Sequence, residues 1–216
     1  MAKIGGYDGA KYAESAEFLE EGQSEWKPLP NLPSGRKGHA VAVVGYKIFV
    51  TGGIDEENKI VGTIDCLDLK KMEWKQCSEM GTERSRPIGC DFTNKNKQFI
   101  MVAGGYSGRE YLSSTEIYDV TKEKWEIAGY MKNKRSDACS VNIGEGIWMM
   151  GGYDEGIYLN SCEIFSIEQG IWKGGPEMNK KKEKDQVQQC PRRSFTLLED
   201  GMETAMSHRW STVNRM

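Results

Sequence analysis

The sequence predicts an all-β chain made of one unit repeated nearly four times. Glycine pairs stand at Gly5-Gly6, Gly52-Gly53, Gly104-Gly105 and Gly151-Gly152. A tryptophan follows the first glycine of each pair by 21, 22, 21 and 21 residues, at Trp26, Trp74, Trp125 and Trp172. Successive pairs lie 47, 52 and 47 residues apart, a period at which each unit buries its apolar faces against its neighbours in a propeller or solenoid. The 25 glycines and six prolines suit short strands joined by turns rather than long helices.

Each unit reads as four strands. The first opens on an arginine and continues through small and β-branched residues, at 36–44 and 135–143, with Arg86 taken as the arginine of the middle unit. A tight turn leads to an apolar second strand that runs straight into the glycine pair, at 47–51, 98–103 and 146–150. Two extra turn residues within 93–97 account for part of the wider middle spacing. A polar loop of about eight residues follows each pair. Alternating third strands come next at 15–20, 63–68, 114–119 and 161–166, and a fourth strand begins near each tryptophan. Four antiparallel strands per unit make a propeller blade. The units are 1–30 (starting in a second strand), 31–80, 81–131 and 132–178, with a charged loop and degenerate tail at 179–216.

Composition removes several function classes. The 216 residues carry 29 basic and 32 acidic side chains, net −3 and well mixed, so no nucleic-acid footprint is visible. No apolar leader occupies the first twelve residues, and no apolar run approaches the 18 needed to span a bilayer. The six cysteines form no CxxC pair and read as buried, reduced thiols; with no glycosylation sequon, a cytoplasmic location is expected. Two histidines, His39 and His208, stand 169 residues apart, too few for a copper or zinc set, so no metal, no cofactor and no catalytic group is expected.

An arginine, an apolar strand, Gly-Gly, a tyrosine-containing strand and a tryptophan, at constant spacing over about residues 1–178, resemble the kelch repeat. The middle units are clearest, with Gly104-Gly105-Tyr106, Tyr118 and Trp125 in one and Gly151-Gly152-Tyr153 and Trp172 in the next. Leu19, Leu67 and Ile54 depart from the aromatic the family usually carries. The resemblance implies a partial kelch-type β-propeller of about four blades. In such propellers a terminal strand commonly closes the ring. Residues 192–198 could supply a first strand and make a four-bladed ring, but an open arc is the expected form.

The loops after the glycine pairs and those entering the arginine strands emerge on one face, where binding residues concentrate on a rigid scaffold. The candidates are Asp55, Glu56, Arg84, Tyr106, Ser107, Arg109, Asp137, Tyr153, Asp154 and Tyr158, with Gly38 near a strand entrance; tyrosine and arginine are enriched among interface hot spots. Against this stands the repeat itself. A tyrosine after Gly-Gly recurs as structure, Arg36, Arg86 and Arg135 read as stabilising the repeat, and His39 takes a position where kelch units often carry histidine. The 180–185 lysine and acid run reads as a solvated loop. The resemblance implies a non-catalytic module that recognises a protein client, as in the kelch portion of BTB-kelch adaptors of cullin ubiquitin ligases, with actin binding as the alternative and a propeller enzyme as a distant third.

Overall fold

Period-two burial on both faces of the second strands dictates the stacking. In Lys47–Thr51, Ile48 and Val50 pack toward the preceding sheet, while Phe49 packs toward the following one. In Lys97–Ala103, Ile100 and Val102 face backward and Met101 and Ala103 forward. Alternate side chains leave opposite faces of a strand, so a strand that is apolar at every position must be covered on both sides. The computed structural model, which describes residues 1–20 and 22–179, arranges this as four antiparallel sheets in chain order.

The first sheet holds Ala2–Ile4, Ala16–Phe18 and Lys27–Leu29. The second holds Ala40–Val44, Lys47–Thr51, Ile64–Asp68 and Glu73–Gln76. Ile88–Asn94, Lys97–Ala103, Ser114–Asp119 and Lys124–Tyr130 form the third, and Cys139–Ile143, Gly146–Met150, Cys162–Ser166 and Ile171–Gly174 the fourth. Three apolar clusters glue neighbours together. One joins Ile4, Ala16 and Leu29 to Ile48, Val50 and Leu67; the next joins Phe49 and Ile64 to Ile100 and Tyr118; the last joins Phe92 and Met101 to Ile147 and Phe165. Each fully buried aliphatic or aromatic side chain among them contributes about 1.5–3 kcal/mol. The possible strand at 192–198 lies outside the described residues.

The glycine pairs fasten each unit to the next. The second glycine's N–H donates to the carbonyl of the following unit's arginine: Gly6 to Arg36 (2.9 Å), Gly53 to Arg84 (2.9 Å) and Gly105 to Arg135 (2.8 Å). At Gly104, φ is +64° and a Cβ would collide with the Arg135 carbonyl, so both conformation and space require glycine.

These bonds correct the alignment of the third unit. Its repeat arginine is Arg84, and Arg86 occupies the place of Gly38 and Asp137, two residues further on, where all three adopt positive φ (62°, 49° and 51°). The reason is in the hairpin. Both strands of the third unit's first hairpin have seven residues, against five in the units on either side, and the turn is still two residues, Lys95 and Asn96. The additional residues therefore lengthen the strands rather than the turn, and displace the arginine by four positions. The predicted first strands are also interrupted. Arg36–Lys37 pairs separately with Ile54–Asp55, and the chain re-enters the sheet at Ala40 only after the left-handed residue.

Cys66, Cys77 and Cys162 are free thiols, whereas Cys139 is disulfide-bonded, against the reading of all six as reduced.

Candidate loop-face interaction site

The loop after each glycine pair folds back on itself. Short antiparallel bridges close it between Tyr7 and Tyr12, Ile54 and Ile60, and Tyr106 and Tyr111, and the fourth pairs Tyr153–Asp154 with Ile157–Tyr158. The turn inside is set by one polar side chain that accepts from backbone N–H groups ahead of it. Asp8 Oδ1 accepts from Ala10 and Lys11 (both 2.8 Å), Asp55 Oδ1 from Glu57 and Lys59, and Ser107 Oγ from Arg109 and Glu110. Asp154 sits in the corresponding place without that task. Its loop turns through Glu155 and Gly156, both at positive φ (42° and 92°), and its Oδ1 is buried with no hydrogen-bond partner. Burial, and then the charge of Glu155, push its carboxyl above the usual carboxylate range.

These loops share one face with the strand entrances. Ser85 bridges to Tyr106 and Ser136 to Tyr153. Contacts also pass between units: Tyr12 Oη donates to Asn58 Oδ1 (2.5 Å), Lys134 Nζ pairs with Glu110 (2.6 Å), and Arg86 Nη1 pairs with Asp137 (3.2 Å). The Arg86 N–H donates to the Gly38 carbonyl (2.6 Å) and the Asp137 N–H to the Arg86 carbonyl (3.3 Å), so the left-handed residues of three units are linked in series. The Lys134 ammonium in turn holds the exposed Glu110 carboxyl below its ordinary range.

Four tyrosines cross the boundary of the third and fourth units as one strip. Tyr106 and Tyr111 have ring centroids 5.1 Å apart, Tyr111 and Tyr153 5.6 Å, and Tyr153 and Tyr158 5.2 Å. Each is half-buried, with one side open to solvent. Burial raises the Tyr111 phenol, and the four rings together make a polarisable surface rich in hydroxyls, suited to contact with side chains of a partner.

The sequence-selected residues separate on this face. Tyr106, Ser107, Arg109, Asp137, Tyr153, Asp154 and Tyr158 come together around the strip, with Arg109 exposed at its edge. Asp55 and Glu56 lie on the neighbouring loop, where Asp55 is engaged in its own turn. Arg84 is corrected. It is fully buried, with Nη2 donating to Glu116 Oε1 at 2.6 Å and Nη1 to the Gly104 and Ser114 carbonyls, so it holds the blade together and presents nothing to a partner. Arg86, assigned above to the repeat, is the exposed arginine. Sequence reading also passed over Lys134 and Tyr111 as individual residues, although both flank loops it had singled out. Among the described residues no group of three or more histidine, cysteine or acidic side chains is placed to hold a metal ion.

The family described as the KLHDC2/KLHL20/DRC7 Kelch-repeats domain matches residues 2–200. The chain belongs to the kelch-repeat family. Its kelch relatives include Kelch-like protein 41a of Danio rerio, 34% identical over 119 residues (55% of this chain, 19% of the relative). Kelch-like protein 23 of Mus musculus is 30% identical over 183 residues (63% and 32%), and kelch repeat-containing protein kel-10 of Caenorhabditis elegans 28% over 151 (67% and 26%). This kelch array thus spans between a fifth and a third of the length of those relatives. Among solved structures, that of YjhT superposes with a TM-score of 0.66 at 15% identity, covering 82% of this chain and 65% of the other; at that identity it speaks for the kelch propeller fold alone. No helix among the described residues is long and apolar enough to cross a membrane.

Proposed function

We propose that the chain is a non-catalytic protein-interaction module that captures a protein client on the loop face of its third and fourth blades. The observation that carries this is the four-tyrosine strip. Loops held by a rigid sheet scaffold concentrate binding residues, and aromatic and arginine side chains carry most of the energy at protein interfaces. The finer reading is client recognition within a cullin ubiquitin ligase adaptor. It is supported by kinship with kelch-like proteins, one of which, from Caenorhabditis elegans, is named for both kelch repeats and a BTB domain. A cytoplasmic site of action is supported by the free thiols Cys66, Cys77 and Cys162, while the disulfide-bonded Cys139 stands against it.

The test is capture of partners from cell extract by the whole chain and by Arg109→Ala and Tyr158→Ala. Each substitution is expected to weaken capture, by roughly 1–3 kcal/mol where the residue is a hot spot, while Lys122→Ala, in an exposed turn after the third strand, retains it. Equal loss from all three would remove the loop face as the site. Cosedimentation with actin filaments, unaffected by the loop variants, would favour the cytoskeletal role instead.

A further inference from the structure

One loop pair shows what a tyrosine pair of this geometry accepts. In the first unit Tyr7 and Tyr12 stand 5.5 Å apart at an interplanar angle of 50°, and the ammonium of Lys37, from the following unit, lies 4.8 Å from each ring centroid. Tyr106 and Tyr111 repeat the arrangement at 5.1 Å and 49°. There the residue equivalent to Lys37 is Ser136. Both follow the arginine whose carbonyl accepts from the second glycine of the preceding unit. Among the described residues no lysine or arginine stands over the rings of Tyr106, Tyr111, Tyr153 or Tyr158. Tyr153 takes the place of Ile54 instead, and so adds a third ring beside the pair.

The charges around the strip fall to the same side. Arg86 is paired with Asp137 and Lys134 with Glu110, leaving Arg109 as the cation of the neighbouring loop and Asp154 and Glu155 as carboxylates outside any ion pair among the described residues. Asp154 also carries the buried, unpartnered Oδ1, whose electrostatic cost a nearby cation would offset.

We infer that the Tyr106–Tyr111–Tyr153 rings form a cation site, and that the segment captured on this face is a basic peptide that lays a lysine or arginine side chain over the rings beside Asp154 and Glu155. This rests on the reading of the loop face as the client site. The attraction is between the cation and the negative faces of the rings, reinforced by the carboxylates.

The experiment is fluorescence anisotropy of a fluorescein-labelled pentalysine peptide titrated with the whole chain, against a labelled pentaglutamate. Pentalysine should bind and pentaglutamate should not. Tyr111→Leu, which keeps the apolar volume but removes the ring, should weaken pentalysine about threefold or more. Ser136→Lys, which installs the intramolecular cation seen in the first unit, should compete it away, and Tyr12→Leu, in the pair already served by Lys37, should leave it unchanged. If either of the first two fails to fold by its thermal melt, Asp154→Asn with Glu155→Gln must show the loss instead. Equal or tighter binding of pentaglutamate, or unchanged pentalysine binding across these variants, overturns the inference. Loss of partner capture in Tyr158→Ala with no preference for pentalysine would sink the cation site and leave the client-binding reading standing.

Discussion

Arg84 donates to Glu116 across 2.6 Å with both side chains almost wholly removed from solvent, and the same pair recurs as Arg135 and Glu163 at 2.6 Å. In each case the carboxylate also accepts two backbone N–H groups of the segment entering its own partner arginine: Gly81 and Thr82 for Glu116, Lys132 and Asn133 for Glu163. Both oxygens of each carboxylate are therefore engaged. Arg36 and Asp65 form the counterpart in the second unit at 2.7 Å, where burial raises the Asp65 carboxyl and Arg36 draws it back. Removing one partner of a buried pair strands the other charge and costs about 3–5 kcal/mol. Glu116→Ala should lower the midpoint of chemical unfolding by a corresponding amount, with no change in slope. A loss below about 1 kcal/mol, the range of exposed pairs, would show that the pair is not a keystone of the blade.

The four-unit array and its glycine–tryptophan rhythm could be read from sequence because they follow from rules of local geometry. Positive φ at the glycines, period-two apolar strands and a large ring at fixed register all leave marks at constant spacing. The register is direct: Leu67 lies opposite Trp74, Tyr118 opposite Trp125 and Phe165 opposite Trp172. Which of Arg84 and Arg86 is buried could not be read in that way. Two arginines two residues apart in a strand-like stretch satisfy the same pattern, and the choice depends on whether the additional residues lengthen a turn or both strands of a hairpin. The tyrosine strip was visible only as two separate loops. Its continuity arises from the packing of Tyr111 against Tyr153 across a blade boundary, a contact between residues 42 positions apart.

Stability should depend on pH through His39. Its side chain is partly buried, Nε2 contacts the Ile4 carbonyl at 3.0 Å, and Nδ1 is buried without a partner among the described residues. Burial first, and then the Arg36 charge, depress the imidazole from its ordinary 6.5 to about 4. Because the folded pKa lies below the unfolded one, the unfolded chain takes up the proton first. The contribution of this residue is complete above pH 6.5 and is lost as pH falls from there toward 4. The melting temperature should therefore decline across that window, and the decline should flatten in His39→Gln. Parallel curves for the two proteins would assign the pH dependence to other groups.

Substituting one glycine of a pair should cost far more than substituting a turn glycine at almost the same φ. Gly104 is at +64° and Gly144 at +60°, but a Cβ on the first meets the Arg135 carbonyl, while among the described residues nothing beyond the chain neighbours comes within 4 Å of a Cβ on the second. Conformational strain alone is about 1 kcal/mol. Gly144→Ala should show about that loss in thermal or urea unfolding, and Gly104→Ala at least twice as much, because the bond from Gly105 to Arg135 must shift as well. Equal losses would mean that the blades separate easily at this contact.

The tryptophans are expected to stabilise the array rather than bind its partner, and Trp125 gives the clearest test. Its indole N–H donates to the Ser78 carbonyl of the preceding unit at 2.8 Å and its ring packs 5.1 Å from that of Tyr118. It is half-buried rather than enclosed, which sets its truncation below the full cost of a core aromatic. Trp125→Ala should lose about 2–3 kcal/mol, against roughly 3–5 for a fully buried ring. Trp125→Phe should recover the ring packing and lose only the hydrogen bond, about 1 kcal/mol. Neither change touches the loop face, so partner capture measured well below the melting temperature should persist in both. A Trp125→Ala protein that melts like the parent yet no longer captures partners would place the tryptophan at the interface and overturn its structural role.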